Sequence, residues 1–201
     1  MIFEYLKMRV NVGDEEFNKI YPNRLYNFAR RNWTPVEVAR HAAHFLADKS
    51  GKRILDIGSA VGKFCMIGAS CTEGHFTGVE YRKDLVHISK AIVKSHKLNN
   101  VKFIHSNITD IDFKDFDAFY FFNPFLEHID VTCRIDDSIE TGDKEHKEYT
   151  NYVREQLDLM PVGTRVATYW SNLEEIPSGY HLESARFNDE LKLWEKKLPR
   201  E

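Results

Sequence analysis

Asp56, Gly58, Gly62 and Glu80 are the residues of this chain whose types and spacing most constrain chemistry. Arg53-Ile54-Leu55-Asp56-Ile57 reads as a buried strand, Gly58-Ser59-Ala60-Val61-Gly62 as a tight turn of small residues, and Lys63-Phe64 as a helix start. A second short strand, Phe76-Thr77-Gly78-Val79-Glu80, ends in a carboxylate about two dozen residues after Asp56. Strand, glycine turn, helix, strand and acid is how an open α/β sheet builds a nucleoside pocket. Glycines let the backbone approach a ligand, and a helix start offers free N–H groups to an anion. The acid closing the second strand can accept both ribose hydroxyls. An ordinary βαβ unit with a glycine turn is the alternative, and the placement of Glu80 argues against it.

These residues need a frame, and the hydrophobic pattern supplies one. Strands are expected at 53–58, 76–80, Val101–Ser106, Ala118–Phe122 and Arg165–Trp170, with helices near 62–71, 84–97 and Tyr149–Met160. Alternation of this kind predicts a parallel sheet with helices on both faces. Phe119-Tyr120-Phe121-Phe122 is a continuous apolar run, as a central strand covered on both sides requires. Residues 126–150 are polar and carry no strong period. Upstream, Phe17, Ile20, Tyr21, Leu25 and Phe28 follow roughly helical spacing, interrupted at Pro22. Thr34-Pro35-Val36-Glu37 predicts a helix start with Thr34 as cap, Pro35 at the first helical position and Glu37 completing a capping box. That helix should run to about Ser50-Gly51. Tyr180–Phe187 and Leu191–Lys196 are strand-like runs separated by Asn188-Asp189-Glu190, which is hairpin spacing. The expected fold is α/β: a three-layer α/β/α sandwich on a mostly parallel seven-stranded sheet with an antiparallel C-terminal hairpin. Residues 1–50 are expected to form a helical extension or lid, and residues 51–201 the main domain.

A length of 201 residues suits one domain with one sizeable core. Hydrophobic residues at 42% and charged residues at 29% are ordinary for a globular protein. The net charge of −3 gives no general attraction to phosphate backbones or anionic lipid. Nucleic acid is therefore a possible partner but not the favoured one. No apolar run approaches membrane-spanning length, and Met1–Lys7 lacks the layout of a signal peptide. Cys65, Cys71 and Cys133 form no C-x-x-C pair and read as reduced, mostly buried thiols of a cytoplasmic protein. No His/Cys/Asp cluster has metal-ligand spacing, so no metal is expected. There is no G-x-S-x-G elbow to suggest an α/β-hydrolase.

From about Thr34 to Lys197 the chain resembles the class I, Rossmann-like S-adenosylmethionine-dependent methyltransferases. The likeness is carried by Leu55-Asp56-Ile57-Gly58-Ser59-Ala60-Val61-Gly62, by Gly78-Val79-Glu80, by Asn123-Pro124-Phe125 after the fourth strand, and by the closing hairpin. NAD-binding enzymes share the first two features but not the last two. The first motif also has some likeness to that of the lysine methyltransferases without a SET domain. The resemblance implies S-adenosyl-L-methionine as cofactor. Ala60 stands where the family has a glycine, and a Cβ there is tolerable only at negative φ.

The same resemblance implies roles. Glu80 would accept hydrogen bonds from the two ribose hydroxyls, and a solvated acid at a strand end is the plain alternative. Gly58, Ser59 and Gly62 would line the methionine part of the cofactor. Asp56 would orient the loop or meet the cofactor's ammonium through water, unless it is a structural turn acid. Tyr81 would pack on the adenine or ribose face, or else in the core. Asn107 and Ile108 would touch the adenine ring. Asn123, Pro124 and Phe125 would carry catalysis: the asparagine carbonyl accepts an N–H from the acceptor nitrogen, the proline turns a carbonyl outward, and the aromatic ring packs on the substrate. A plain strand-ending turn is the alternative. Glu127 and His128 follow and could help bind or deprotonate an amine, although His128 reads better as a surface histidine; His41, His44, His87 and His96 read as ordinary helix residues. The Tyr21–Thr34 region, with Arg24, Arg30, Arg31, Asn32 and Trp33, lids the cofactor, contacts a nucleic acid through its aromatics and arginines, or packs the extension onto the sheet edge. The expected activity is methyl transfer to nitrogen, with a protein side chain such as lysine as the preferred acceptor. An RNA or DNA base, a small molecule, or a non-catalytic scaffold role are the alternatives.

Overall fold

The computed structural model describes residues 1–26, 33–130, 132, 134–136 and 138–198. Its seven strands are β1 (Arg53–Ile57), β2 (His75–Glu80), β3 (Val101–His105), β4 (Ala118–Phe121), β5 (Arg165–Tyr169), β6 (Tyr180–Arg186) and β7 (Leu191–Lys196). They form one sheet in the order β3-β2-β1-β4-β5-β7-β6. β1 to β5 are parallel, while β7 runs antiparallel to both β5 and β6. The order reverses at β1, which pairs β2 on one side and β4 on the other. A crevice therefore opens beyond the carboxyl ends of these strands.

Among the described residues the α-helices are α1 (Ile2–Lys7), α2 (Asp14–Asn18), α3 (Val36–Leu46), α4 (Lys63–Cys71), α5 (Lys83–His96) and α6 (Asp143–Leu159). The two faces of the sheet are covered differently. Ile54 in β1 and Ala118 and Tyr120 in β4 point into a core shared with α1, α3, α4 and α5. Leu55, Ile57, Phe119 and Phe121, one residue out of phase, point into a second core shared with α6. Where a helix would join β3 to β4 there are only single 3-10 turns at Ile108–Asp110 and Phe113–Asp115. Phe113 from the second turn is fully buried and stacks on Phe119 with ring centroids 4.7 Å apart, which fills the space a helix would take.

Three expected helix boundaries move. α3 starts at Val36 without a capping box: the Thr34 hydroxyl pairs with the buried Tyr120 hydroxyl at 2.7 Å, and the cap comes from Asp14, whose Oδ1 accepts the Val36 N–H at 3.0 Å. α3 also ends at Leu46, before Ser50-Gly51. α6 begins at Asp143, ahead of Tyr149, because its first turns are polar and carry no apolar period. Tyr21 and Trp33 are buried against each other, with centroids 4.7 Å apart, and so belong to the core. Phe28, Arg30, Arg31, Asn32 and Cys133 lie outside the described residues. Cys65 is buried and Cys71 partly so. None of the described helices is long and apolar enough to cross a membrane.

Candidate active site

A cavity of about 390 Å³ opens where β1, β2, β3 and β4 end, and Gly58, Glu80, Tyr81, Asn107, Ile108, Asn123, Pro124 and Phe125 all line it. Residues far apart in sequence are thus brought to one sheet edge by strand order alone. A small adjoining gap of about 30 Å³ shares Gly58, Ala60 and Phe122 with the cavity and is lined by Asp56, Ser59 and Lys63. Gly62 lines neither. A Cβ there would stand 2.1 Å from the Phe103 ring, so this glycine serves the close packing of α4 on β3.

Glu80 closes β2 and is only 6% exposed. Its Oε2 accepts the Ala60 N–H at 3.0 Å, and its Oε1 accepts the Arg82 N–H at 2.8 Å. A carboxylate has about four acceptor sites, so about two remain. Burial raises the Glu80 pKa above the usual range, opposed by the Arg82 N–H and charge and by the Ala60 N–H. The bond to Glu80 also settles Ala60. This residue takes a φ of +45°, against the expectation of negative φ, because the turn aims its N–H at the carboxylate between two left-handed glycines, Gly58 and Gly62. A Cβ on Gly58 would meet Pro124 Cβ at 2.7 Å, so its absence lets the β1 turn close on the β4 turn.

Asp56 is 3% exposed, and the Cys65 thiol donates to its Oδ2 at 3.3 Å. Burial pushes its pKa up to about 7; the thiol opposes the rise and the nearby Glu80 adds to it. Ser59 N–H is bonded to the Val79 carbonyl at 2.9 Å, and its buried hydroxyl has no partner. The Lys63 ammonium, buried at the start of α4, pairs with Asp14. The extension is thereby tied to the turn.

Beyond β4, Asn123 adopts a φ of +41°, a conformation asparagine tolerates better than most residues. Its side-chain amide has no hydrogen bond among the described residues. Asn107 is already engaged: its Oδ1 caps the Thr109 N–H at 3.1 Å and its Nδ2 donates to the Tyr149 hydroxyl at 3.1 Å. Tyr81 is exposed at the cavity, which excludes the core alternative. His128 is not at the surface. It is 9% exposed and lines the cavity, with its ring edge-on to Tyr149 and Nδ1 buried without a partner. Burial lowers its pKa, against the pull of Glu127 and Glu145, so the neutral ring is favoured.

Sequence reasoning missed Arg82, Tyr149 and Trp170, which also line the cavity. Trp170 sits directly after β5 with a φ of +49° and 56% of its surface exposed. The signal for it was available, since every strand that ends at this edge delivers its next residue to the crevice. Arg82 and Tyr149 carried no such signal.

A family model described as a methyltransferase domain matches residues 48–169. Demethylmenaquinone methyltransferase of Listeria welshimeri is 23% identical over 181 residues, 87% of this chain and 70% of that protein. Among solved structures, TrmN from Thermus thermophilus is similar with a TM-score of 0.59 at 16% identity, over 87% of this chain and 52% of TrmN. This chain thus spans about half the length of TrmN. An RNA methyltransferase from Salinibacter ruber, solved in complex with S-adenosyl-L-homocysteine, is similar with a TM-score of 0.57 at 16% identity, over 84% of this chain and 94% of that one. At these identities the solved structures share the fold.

Proposed function

The chain belongs to the methyltransferase-domain family and is an S-adenosyl-L-methionine-dependent methyltransferase of the class I type, and from that premise we propose that it methylates a nitrogen held by Asn123. The cofactor fits the residues present. Glu80 keeps acceptor sites for the two ribose hydroxyls, and Ile108 and Tyr81 offer apolar surface for adenine. Asn107, with its side chain committed to Thr109 and Tyr149, braces that wall. Gly58 and Ser59 lead toward the small gap, which has room for a water between Asp56 and a ligand ammonium. When bound, S-adenosyl-L-methionine supplies an electrophilic methyl group on a sulfonium.

The observation that carries the acceptor assignment is the unpartnered Asn123 amide, turned out of β4 by a left-handed backbone at the cavity wall. Its carbonyl accepts an N–H from the acceptor and so directs the nitrogen lone pair. Pro124, packed against Gly58, fixes that turn, and Phe125 and Phe122 exclude water beside it. Alignment of this kind can supply several kcal/mol of the barrier reduction without a strong base. A protein amine such as lysine is the first acceptor to try. A flat acceptor, an RNA base or a small aromatic molecule, is the second reading, favoured by the exposed Trp170 ring on the same wall.

The test is transfer of labelled methyl to a cell extract split into protein, nucleic-acid and small-molecule fractions, followed by chemical identification of the methylated atom. Asn123→Ala should lower turnover about 100-fold or more while S-adenosyl-L-homocysteine still binds. Label on oxygen or carbon, or full turnover by the variant, would overturn the assignment.

A further inference from the structure

Arg82 is a buried cation lining the cavity, and the chemistry above leaves it without a task. Its side chain is 4% exposed. Toward the sheet, its backbone N–H bonds Glu80 Oε1 and its Nη1 lies 4.0 Å from that same oxygen. Toward the segment after β4, Nη1 and Nη2 donate to Glu127 Oε1 and Oε2 at 2.8 and 2.6 Å, and Nε donates to Asp136 at 3.0 Å. Glu127 follows the Asn123 turn and lines the cavity, as does Ile135 beside Asp136. A single guanidinium therefore lies beside the carboxylate that closes β2 and holds the segment after β4.

We infer that Arg82 is a positioning residue that keeps Glu80 ionised for the ribose hydroxyls and fixes the Glu127 segment at the cavity, so that the donor and acceptor sides are coupled through one side chain. The role rests on Glu80 holding the ribose as proposed above. A buried carboxylate stays charged only with compensation. The charged groups facing Glu80 are Arg82, Glu127 and Asp56, together with the N–H of Ala60. Burial and Glu127 work against its ionisation, while Arg82 and the two N–H groups favour it. Removing the Arg82 charge must therefore move Glu80 titration to higher pH, and removing the Glu127 charge must move it to lower pH. General structural damage would not produce opposite signs.

Calorimetric titration of the full chain with 5′-methylthioadenosine, compared between variants over the same pH range, reads this effect. The probe has the adenine and ribose but no amino-acid end, so it leaves Asp56 unengaged. Affinity is complete while Glu80 is ionised and falls about tenfold per pH unit below its pKa. As pH is lowered from 8, Arg82→Met should begin to lose affinity at higher pH than the unmodified chain, and Glu127→Gln at lower pH. Identical profiles for Arg82→Met and the unmodified chain, or shifts of the same sign in both variants, overturn the inference and leave the cofactor site intact. Should Arg82→Met fail to fold, the absence of a downward shift in Glu127→Gln overturns it alone. If neither the probe nor S-adenosyl-L-homocysteine binds the unmodified chain, the Glu80 assignment fails first.

Discussion

Asp56 and Glu80 are buried carboxylates on neighbouring strands, and their partners set them apart. Glu80 has two backbone N–H groups and a guanidinium; Asp56 has a single thiol. Charge-assisted bonds to N–H compensate burial far better than a weak S–H donor does. The Asp56 pKa accordingly rises to about 7 while the chain is unliganded. A raised carboxyl pKa stabilises the fold in full below the unfolded value, and that contribution is lost as pH rises through about 7. Thermal midpoints should thus fall between pH 6 and pH 8 more steeply in the unmodified chain than in Asp56→Asn. A ligand ammonium restores the charged form. Binding of S-adenosyl-L-homocysteine near pH 6.5 should then release roughly half a proton or more, seen by calorimetry in buffers of different ionisation enthalpy. Asp56→Asn should abolish that release, and a buffer-independent enthalpy in the unmodified chain would refute the link.

At the level of elements, the functional turns rely on contacts made by remote segments. The extension reaches the first turn through Asp14, which caps α3 and pairs with Lys63 at the head of α4. Losing both contacts and leaving a buried ammonium unpaired should cost about 2–4 kcal/mol in Asp14→Ala. Glu37→Ala, at a residue that takes no part in a capping box, should stay within about 0.5 kcal/mol. Urea midpoints for the pair decide between the tertiary cap and the local one. Ala60 illustrates the same dependence. It stands where the family has a glycine, and the hydrogen bond to Glu80 on the next strand accompanies its left-handed backbone.

Over the whole molecule, the sheet carries two unequal layers. Among the described residues, one face shares a core with α1, α3, α4 and α5, and the other with α6 and the 3-10 turns at Ile108–Asp110 and Phe113–Asp115. Phe113 must then do the work of a missing helix between β3 and β4. Phe113→Ala should destabilise by about 3–5 kcal/mol, while the folded fraction binds S-adenosyl-L-homocysteine within about twofold of normal, because Phe113 lies outside the cavity lining. A loss below about 1 kcal/mol would show that this face closes by other contacts. The closing hairpin matters at the same scale: β7 pairs β5 along its whole length, which removes an open edge beside the Trp170 rim.

The sequence by itself determined the strand order's raw material, the hairpin, the glycine turn and the acid at the end of β2, because period, turn chemistry and spacing are local properties. It also determined that Asn123-Pro124-Phe125 ends a buried strand, since Phe119-Tyr120-Phe121 has no polar face. Only the tertiary structure decided that Thr34 serves Tyr120 and that Asp14 caps α3 in its place. It alone buried His128, freed Gly62 from the cavity, and set Arg82 between Glu80 and Glu127. Each of these depends on a partner dozens of residues away or on how fully a side chain is desolvated. Pattern along a chain reports which face a residue occupies, whereas the charge it carries and the neighbour it meets are set by the three-dimensional field around it.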